Sequence, residues 1–480
     1  MHGRIQYARR RREQVFLRPD RRLHGGERVR CAEACRARAS PAGASLPRAA
    51  HGGRRPAVPP ARTRRARRGH RGGSVVNLAR LVRYATDRNL AYGWRRRRVP
   101  WVLDITDPHA PAFTPYGETE EVPYVRRSGT GSAPRPGCDN LEYLMGRHKD
   151  AWRDQIASFT DQDDGPAARD LRAALDAGVF TALAPPPGSK PADLVVLRAR
   201  GGFLHNDPGL RRFWQDRLRA GLDSGLSGVC LGCGGTGVPL ARLVPAYLPP
   251  SAFGQSGSGD LAMYPSGPER SGSRSGAASM PVCLDCACAL GAALPSLAGG
   301  PGHHHRTREG KLLLWWGLDG AGDIDLSRLL TRPDRADLDA VPSGGRMCVM
   351  LLQPVNGRIS PIWYLDEPTQ TVLDRIRRWY DRTGVLDGWS DTVELTGIPV
   401  MHAQLERWNP ATKTYKSRPS LLPSEADLWE TALSGQPRPG YANTVLIAIR
   451  GDGRISTGRT ALLQYCQSDT ALPAPGNRKE

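Results

Sequence analysis

The sequence predicts a multi-domain α+β fold, and three observations carry that reading. Its 480 residues give room for about two to four domains, each with its own core. Helix-period and strand-like stretches alternate irregularly, with no internal repeat. Two C-x-x-C pairs, in GVCLGCGGTGV (228–238) and PVCLDCAC (281–288), mark a central segment that a metal ion could staple.

Five segments follow in order: an Arg-rich extension (1–74), a mixed N-terminal domain (75–225), a Cys-rich segment with a Gly/Ser-rich loop (226–310), a C-terminal region with a ferredoxin-like strand–strand–helix unit (311–470), and a tail (471–480). The extension carries 21 Arg against four acids, a net +17 of the chain's +21, so the remaining 406 residues are only mildly basic. It shows no apolar periodicity and cannot form a packed core. Two readings of it stand: a disordered basic arm, or upstream sequence read through from a start that belongs at Val75. Only 6 of the 68 basic residues are Lys. That bias is what GC-rich coding gives by itself, so Arg clusters carry less weight here than their number suggests.

In the N-terminal domain, Leu78, Leu81, Val82 and Tyr84 recur at helical spacing, preceded by Val76. VPWVLDI (99–105) reads as a strand, 149–160 and 166–177 as helices, ADLVVLRA (192–199) as a strand, and 209–222 as a helix burying Phe213, Leu218 and Leu222. Further on, KLLLWWGL (311–318) is a compact buried strand. RMCVMLLQPVNGRISPIWYL (346–365) is two strands broken at Asn356–Gly357, and 369–386 is an amphipathic helix with Val372, Ile376 and Trp379 on its apolar face.

Zinc prefers soft thiolates in a tetrahedron, and each C-x-x-C turn presents two sulfurs at a suitable separation. Cys230, Cys233, Cys283 and Cys286 would complete an all-thiolate site, with Cys288 as a spare. A four-cysteine site leaves no open position, so such a zinc is structural. The 49 residues between the pairs fit a ribbon carrying an inserted loop. HHHRTR (303–308), flanked by GGPG, reads as an exposed loop rather than a metal site. No G-x-S-x-G elbow, H-E-x-x-H motif, nuclease-type acidic cluster or Walker sequence is present, which argues against an enzyme. The chain has no apolar run of about 18 residues and no secretory h-region, so the expectation is a soluble, cytoplasmic protein with no membrane partner.

The loop RRSGTGSAPRPGCDN (126–140) is the best candidate for contact with nucleic acid. Arg126, Arg127 and Arg135 can reach phosphates, the glycines permit close backbone approach, and Asn140 can read a base edge. WRRRRVPW (94–101) sets four arginines between two tryptophans, which suits either a tracked strand or a charged surface.

Taken in order, LARLVRYATDR, VPWVLDI and VPYVRRSGT…CDNLEYLMG resemble the opening signature of the large subunit of the type I-C CRISPR Cascade, the Dvulg-subtype family. CLGCGGTGVPLARLVP, KLLLWWGL and MCVMLLQPVNGRISPIWYL resemble its later segments, with Asn356 and Arg358 retained and Gln353 in place of a serine. The resemblance runs from about 75 to 466. It implies a non-catalytic subunit that, with crRNA and Cascade backbone subunits, inspects the protospacer-adjacent motif of target double-stranded DNA, supports R-loop formation and docks a helicase–nuclease in antiviral defence. It places Arg126, Arg127 and Asn140 at the duplex or motif, with Arg135 beside a phosphate. Family members continue into a helical bundle where this sequence ends at Glu480, so either a separate gene supplies that bundle or the frame is broken. The alternative is a zinc-ribbon nucleic-acid-binding accessory protein unrelated to CRISPR.

Overall fold

The computed structural model describes residues 77–126, 133–257, 260–263, 280–387, 392–409, 411–412, 414–416, 423–436 and 440–468. The extension 1–74, the tail 471–480 and Arg127 lie outside them.

The N-terminal region is built on a sheet of β2 (Trp101–Asp104), β3 (Ala112–Pro115), β5 (Cys138–Asn140), β6 (Leu194–Ala199) and β7 (Gly202–Phe203), in the order β3-β2-β6-β5 with β7 also on β6. The β2–β6 pair is parallel and its neighbours antiparallel. In β6, Val195, Leu197 and Ala199 enter one core while Leu194 and Val196 enter another, as alternation along a strand requires. That explains why LVVL reads as a continuous apolar run: both faces are covered. One face packs on α2 (Leu141–Leu144), α3 (Lys149–Gln162), α4 (Pro166–Asp176) and α5 (Val179–Ala182), through Trp152, Ile156, Phe159 and Leu171. The other meets the ribbon of β1 (Trp94–Arg98) with β4 (Thr119–Pro123) through Val99 and Val122.

α1 (Leu78–Asp87) buries Leu78, Leu81 and Tyr84, the face its spacing predicts. α6 (Pro208–Ala220) differs from expectation. It buries Leu210 and Trp214, whose indole N–H donates to the Gly93 carbonyl at 2.9 Å, and leaves Phe213 and Leu218 half-buried. The anchoring tryptophan defines the inward face, and the helix is rotated accordingly.

A second hairpin, β8 (Asp223–Gly228) with β9 (Val238–Ala241), carries the first cysteine pair. Beyond it stands a six-stranded sheet. Its order is β10 (Tyr247–Leu248), β11 (Leu261–Ala262), β15 (Arg358–Pro368), β14 (Arg346–Val355), β13 (Leu312–Leu318) and β12 (His304–Arg306). Only the β11–β15 contact is parallel. The segments 226–310 and 311–470 therefore share one sheet, and the strand–strand–helix unit is embedded in it. Asn356 (φ 49°) and Gly357 (φ 74°) both adopt left-handed backbone, the requirement of a two-residue type I′ hairpin.

This sheet separates two cores. Leu312, Leu314, Trp316, Cys348, Met350 and Leu352 face α1 and α7 (Leu284–Gly299). Leu313, Trp315, Met347, Val349 and Leu351 face the C-terminal helices. Those helices are α8 (Leu326–Thr331), α9 (Arg335–Ala340), α10 (Thr369–Thr383), α11 (Ile398–Leu405), α12 (Glu425–Ser434), α13 (Tyr441–Asp452) and α14 (Thr457–Ser468). α10 buries Val372, Ile376 and Trp379 as its periodicity predicts. Asp366 ties the layers together, accepting from Arg80 of α1 at 3.0 Å and from Arg346 of β14 at 2.9 Å. Among the described residues, no helix is long and apolar enough to cross a membrane.

Candidate metal centre and nucleic-acid surface

The two C-x-x-C turns meet. The Sγ atoms of Cys230, Cys233, Cys283 and Cys286 all lie within 4.8 Å of one another, with Cys233 and Cys283 at 3.9 Å. A tetrahedron with zinc–sulfur arms of about 2.3 Å has edges of about 3.8 Å, so the spacing fits a four-thiolate metal site. Cys288 stands outside the group.

Local structure explains how the turns form. Cys230 sits between β8 and β9, its N–H donating to the Gly235 carbonyl at 2.9 Å and its carbonyl accepting from Gly234 at 2.9 Å. Cys283 is the N-cap of α7, and the Cys286 N–H points at its sulfur at 3.5 Å. The turns are joined by backbone: Leu231 donates to Pro281 and Ala241 to Val282, both at 2.8 Å. Gly232 is required where it stands, because a Cβ there would lie 2.8 Å from the Cys286 sulfur and 3.4 Å from Val82 of α1.

The Cys230 sulfur accepts N–H groups from Gly232 at 3.3 Å and Cys283 at 3.1 Å. Burial alone would push this thiol up, but the N–H groups of Cys283, Cys233 and Gly232 outweigh it and bring Cys230 down to about 7. Burial raises Cys283 and Cys286 instead. Three largely enclosed thiols so close together call for a cation to compensate their ionised form, which a divalent ion supplies. The group could hold a metal ion such as zinc, and with four protein ligands it would bind the β8–β9 hairpin to α7 and leave no position for substrate.

The histidine run differs from the expected exposed loop. His304 and His305 lie in β12, paired with β13, because the apolar run of β13 offers an edge to them. His305 Nε2 is 2.7 Å from the buried Glu425 carboxylate, whose other oxygen accepts the Arg308 N–H at 2.9 Å. The triplet links the sheet to α12.

The candidate nucleic-acid residues part company. Arg126 is exposed at the exit from β4, its guanidinium 4.9 Å over the Tyr247 ring. Arg135, read from sequence as a neighbour of phosphates, is buried. Its guanidinium pairs with Asp139 at 2.8 Å, its own N–H donates to the same carboxylate at 2.8 Å, and its carbonyl accepts from the Trp152 indole at 3.0 Å. Asn140, read as a base reader, caps α2: its Oδ1 accepts the Tyr143 N–H at 3.3 Å. Both ends of the candidate loop are thus fixed, by Arg126 on Tyr247 and by the Arg135–Asp139 pair. Residues 127–132 between them lie outside the described residues.

In the β1–β4 pair, Arg96 stands opposite Glu121 and Arg97 opposite Glu120. Arg95 lies 3.8 Å over the Tyr124 ring and 3.6 Å from Asp260. Arg211 stacks 3.9 Å over Trp94 and pairs with Glu121 at 3.1 Å. Tyr247, Asp260 and Arg211 are missing from the sequence reading. They come from segments about a hundred residues away, and no local spacing marks them.

The family model described as CRISPR-associated protein (Cas_Csd1) matches residues 81–475, most of the chain, and the chain belongs to that family. That sets aside the accessory factor unrelated to CRISPR. No curated protein matches the chain.

Proposed function

From this membership of the CRISPR-associated Cas_Csd1 family, we propose that the protein is the non-catalytic large subunit of a type I-C Cascade effector complex. In this reading it works in the cytoplasm with crRNA and backbone subunits. It inspects the protospacer-adjacent motif of target duplex DNA, supports R-loop formation and offers a dock to a helicase–nuclease. The observation that carries the reading is the family match across residues 81–475, most of the chain.

The loop between Arg126 and Asn140 supports the motif-reading part. Guide pairing reads the sequence of the target, so the subunit needs only a short duplex reader on a rigid frame. In this reading exposed Arg126 meets a phosphate or base edge, and the buried Arg135–Asp139 pair supplies rigidity. We assign zinc to the four cysteines as a structural ion, on the thiolate chemistry of the group.

The test is affinity purification of the protein co-expressed with its genomic neighbours, followed by sequencing of any retained RNA. A uniform repeat-derived RNA with several backbone subunits is the expected outcome. A protein that emerges alone, with no RNA, contradicts the reading.

A further inference from the structure

We propose a second ligand site, for a nucleotide unit (a base carrying a 5′-phosphate), in the cleft between strand β1 and the C-terminal end of α7. It adjoins the start of the duplex-reading loop, sharing Trp94 and Arg95 with the surface beside Arg126, and its ligand goes beyond the duplex-reading role.

The cleft has a volume of about 920 Å³, within the range of small-ligand sites. Trp94, Arg95 and Arg96 of β1, Arg306 of β12 and the apolar Leu248 and Pro295 are among its lining residues. Among the described residues Arg96 has no ion-pair partner, and Arg306 makes one long contact, 3.4 Å to the Ser251 carbonyl. The acid at this cleft, Glu121, is already paired with Arg211 at 3.1 Å. Trp94 is 9% exposed and its indole N–H has no partner.

Each feature selects the same chemistry. Guanidinium groups from two separate strands lining one cleft recognise a phosphate through charge-assisted hydrogen bonds. The apolar lining residues accept the face of a planar base. An uncharged apolar ligand would answer only the apolar lining. The nucleotide unit has two sources, a free mononucleotide or one residue of a single strand.

The test is calorimetric titration of the full chain with adenosine 5′-monophosphate, adenosine, and a 5′-phosphorylated thymidine trinucleotide. It is repeated on Arg96→Ala/Arg306→Ala and on Arg97→Ala, which removes an equal kind of charge from the same strand away from the cleft. All three arginines are exposed, so the fold is not at risk. Saturable binding of a phosphorylated probe is expected, weakened at least about tenfold without the phosphate or in the double variant, and less than about threefold in Arg97→Ala. Monophosphate binding as tight as the trinucleotide identifies the free nucleotide as the source; binding of the trinucleotide alone identifies a strand. No binding of either at about 1 mM, equal binding of adenosine, or an equal loss in Arg97→Ala overturns the proposal.

Discussion

The sulfurs of Cys233 and Cys283, fifty residues apart in sequence, stand 3.9 Å apart. No disulfide joins them, and two further thiols share the same space. The contact makes the Cys-rich segment part of the main body: one turn lies on the β8–β9 hairpin, the other caps α7, and α7 backs the central sheet.

The first prediction concerns the metal. The purified protein should carry about one zinc per chain by elemental analysis, and removing it with a chelator should lower the unfolding temperature. Cys283→Ser should be more damaging than Cys288→Ser, because Cys288 stands outside the group. Equal retention of zinc in both variants would contradict the assignment.

The second concerns Arg135 and Asp139, whose side chains are 6% and 0% exposed. Asp139→Ala strands a buried guanidinium and should cost about 3–5 kcal/mol in denaturant unfolding. Replacing both with apolar residues of similar volume should recover much of that loss. If Asp139→Ala unfolds like the parent, the pair is not part of the frame.

The third concerns acid stability. His205 is fully buried, both ring nitrogens lack partners, and burial lowers its pKa to about 4 from 6.5. The unfolded chain takes up a proton that the folded one refuses, so stability falls as pH drops from about 6.5 towards 4 and is intact above that window. His205→Leu should flatten this part of the pH–stability curve. An unchanged curve would show that the ring titrates freely.

The fourth concerns Asn140. Because its side chain caps α2, Asn140→Ala mixes lost recognition with a cap loss of about 1 kcal/mol. Asn140→Ser keeps a capping oxygen and removes the amide. It should leave the unfolding temperature close to that of the parent while weakening duplex recognition.

What the sequence reveals and what it hides divides along contact distance. The cysteine group is legible because C-x-x-C spacing fixes two ligands locally and only one meeting remains to be guessed. The β14–β15 hairpin is legible from Asn356–Gly357, and α1 and α10 from their apolar spacing. Arg135 is not, although Asp139 is only four residues away: APRPG reads as surface, and the cover that buries the pair comes from elements such as α3 with Trp152. The histidine run reads as a loop because its partner, Glu425, is 120 residues away. The inward face of α6 is not legible because Trp214 finds its acceptor at Gly93, 121 residues away. Local periodicity cannot report a partner that only the fold supplies.

The most direct test of the central claim is binding of the assembled complex to duplexes sharing one guide-matched target but carrying a randomised flank. Selection of one short flanking motif, lost in Arg126→Ala combined with Asn140→Ser and weakened by salt, is the predicted result. Equal binding to every flank by an intact, RNA-loaded complex would contradict it.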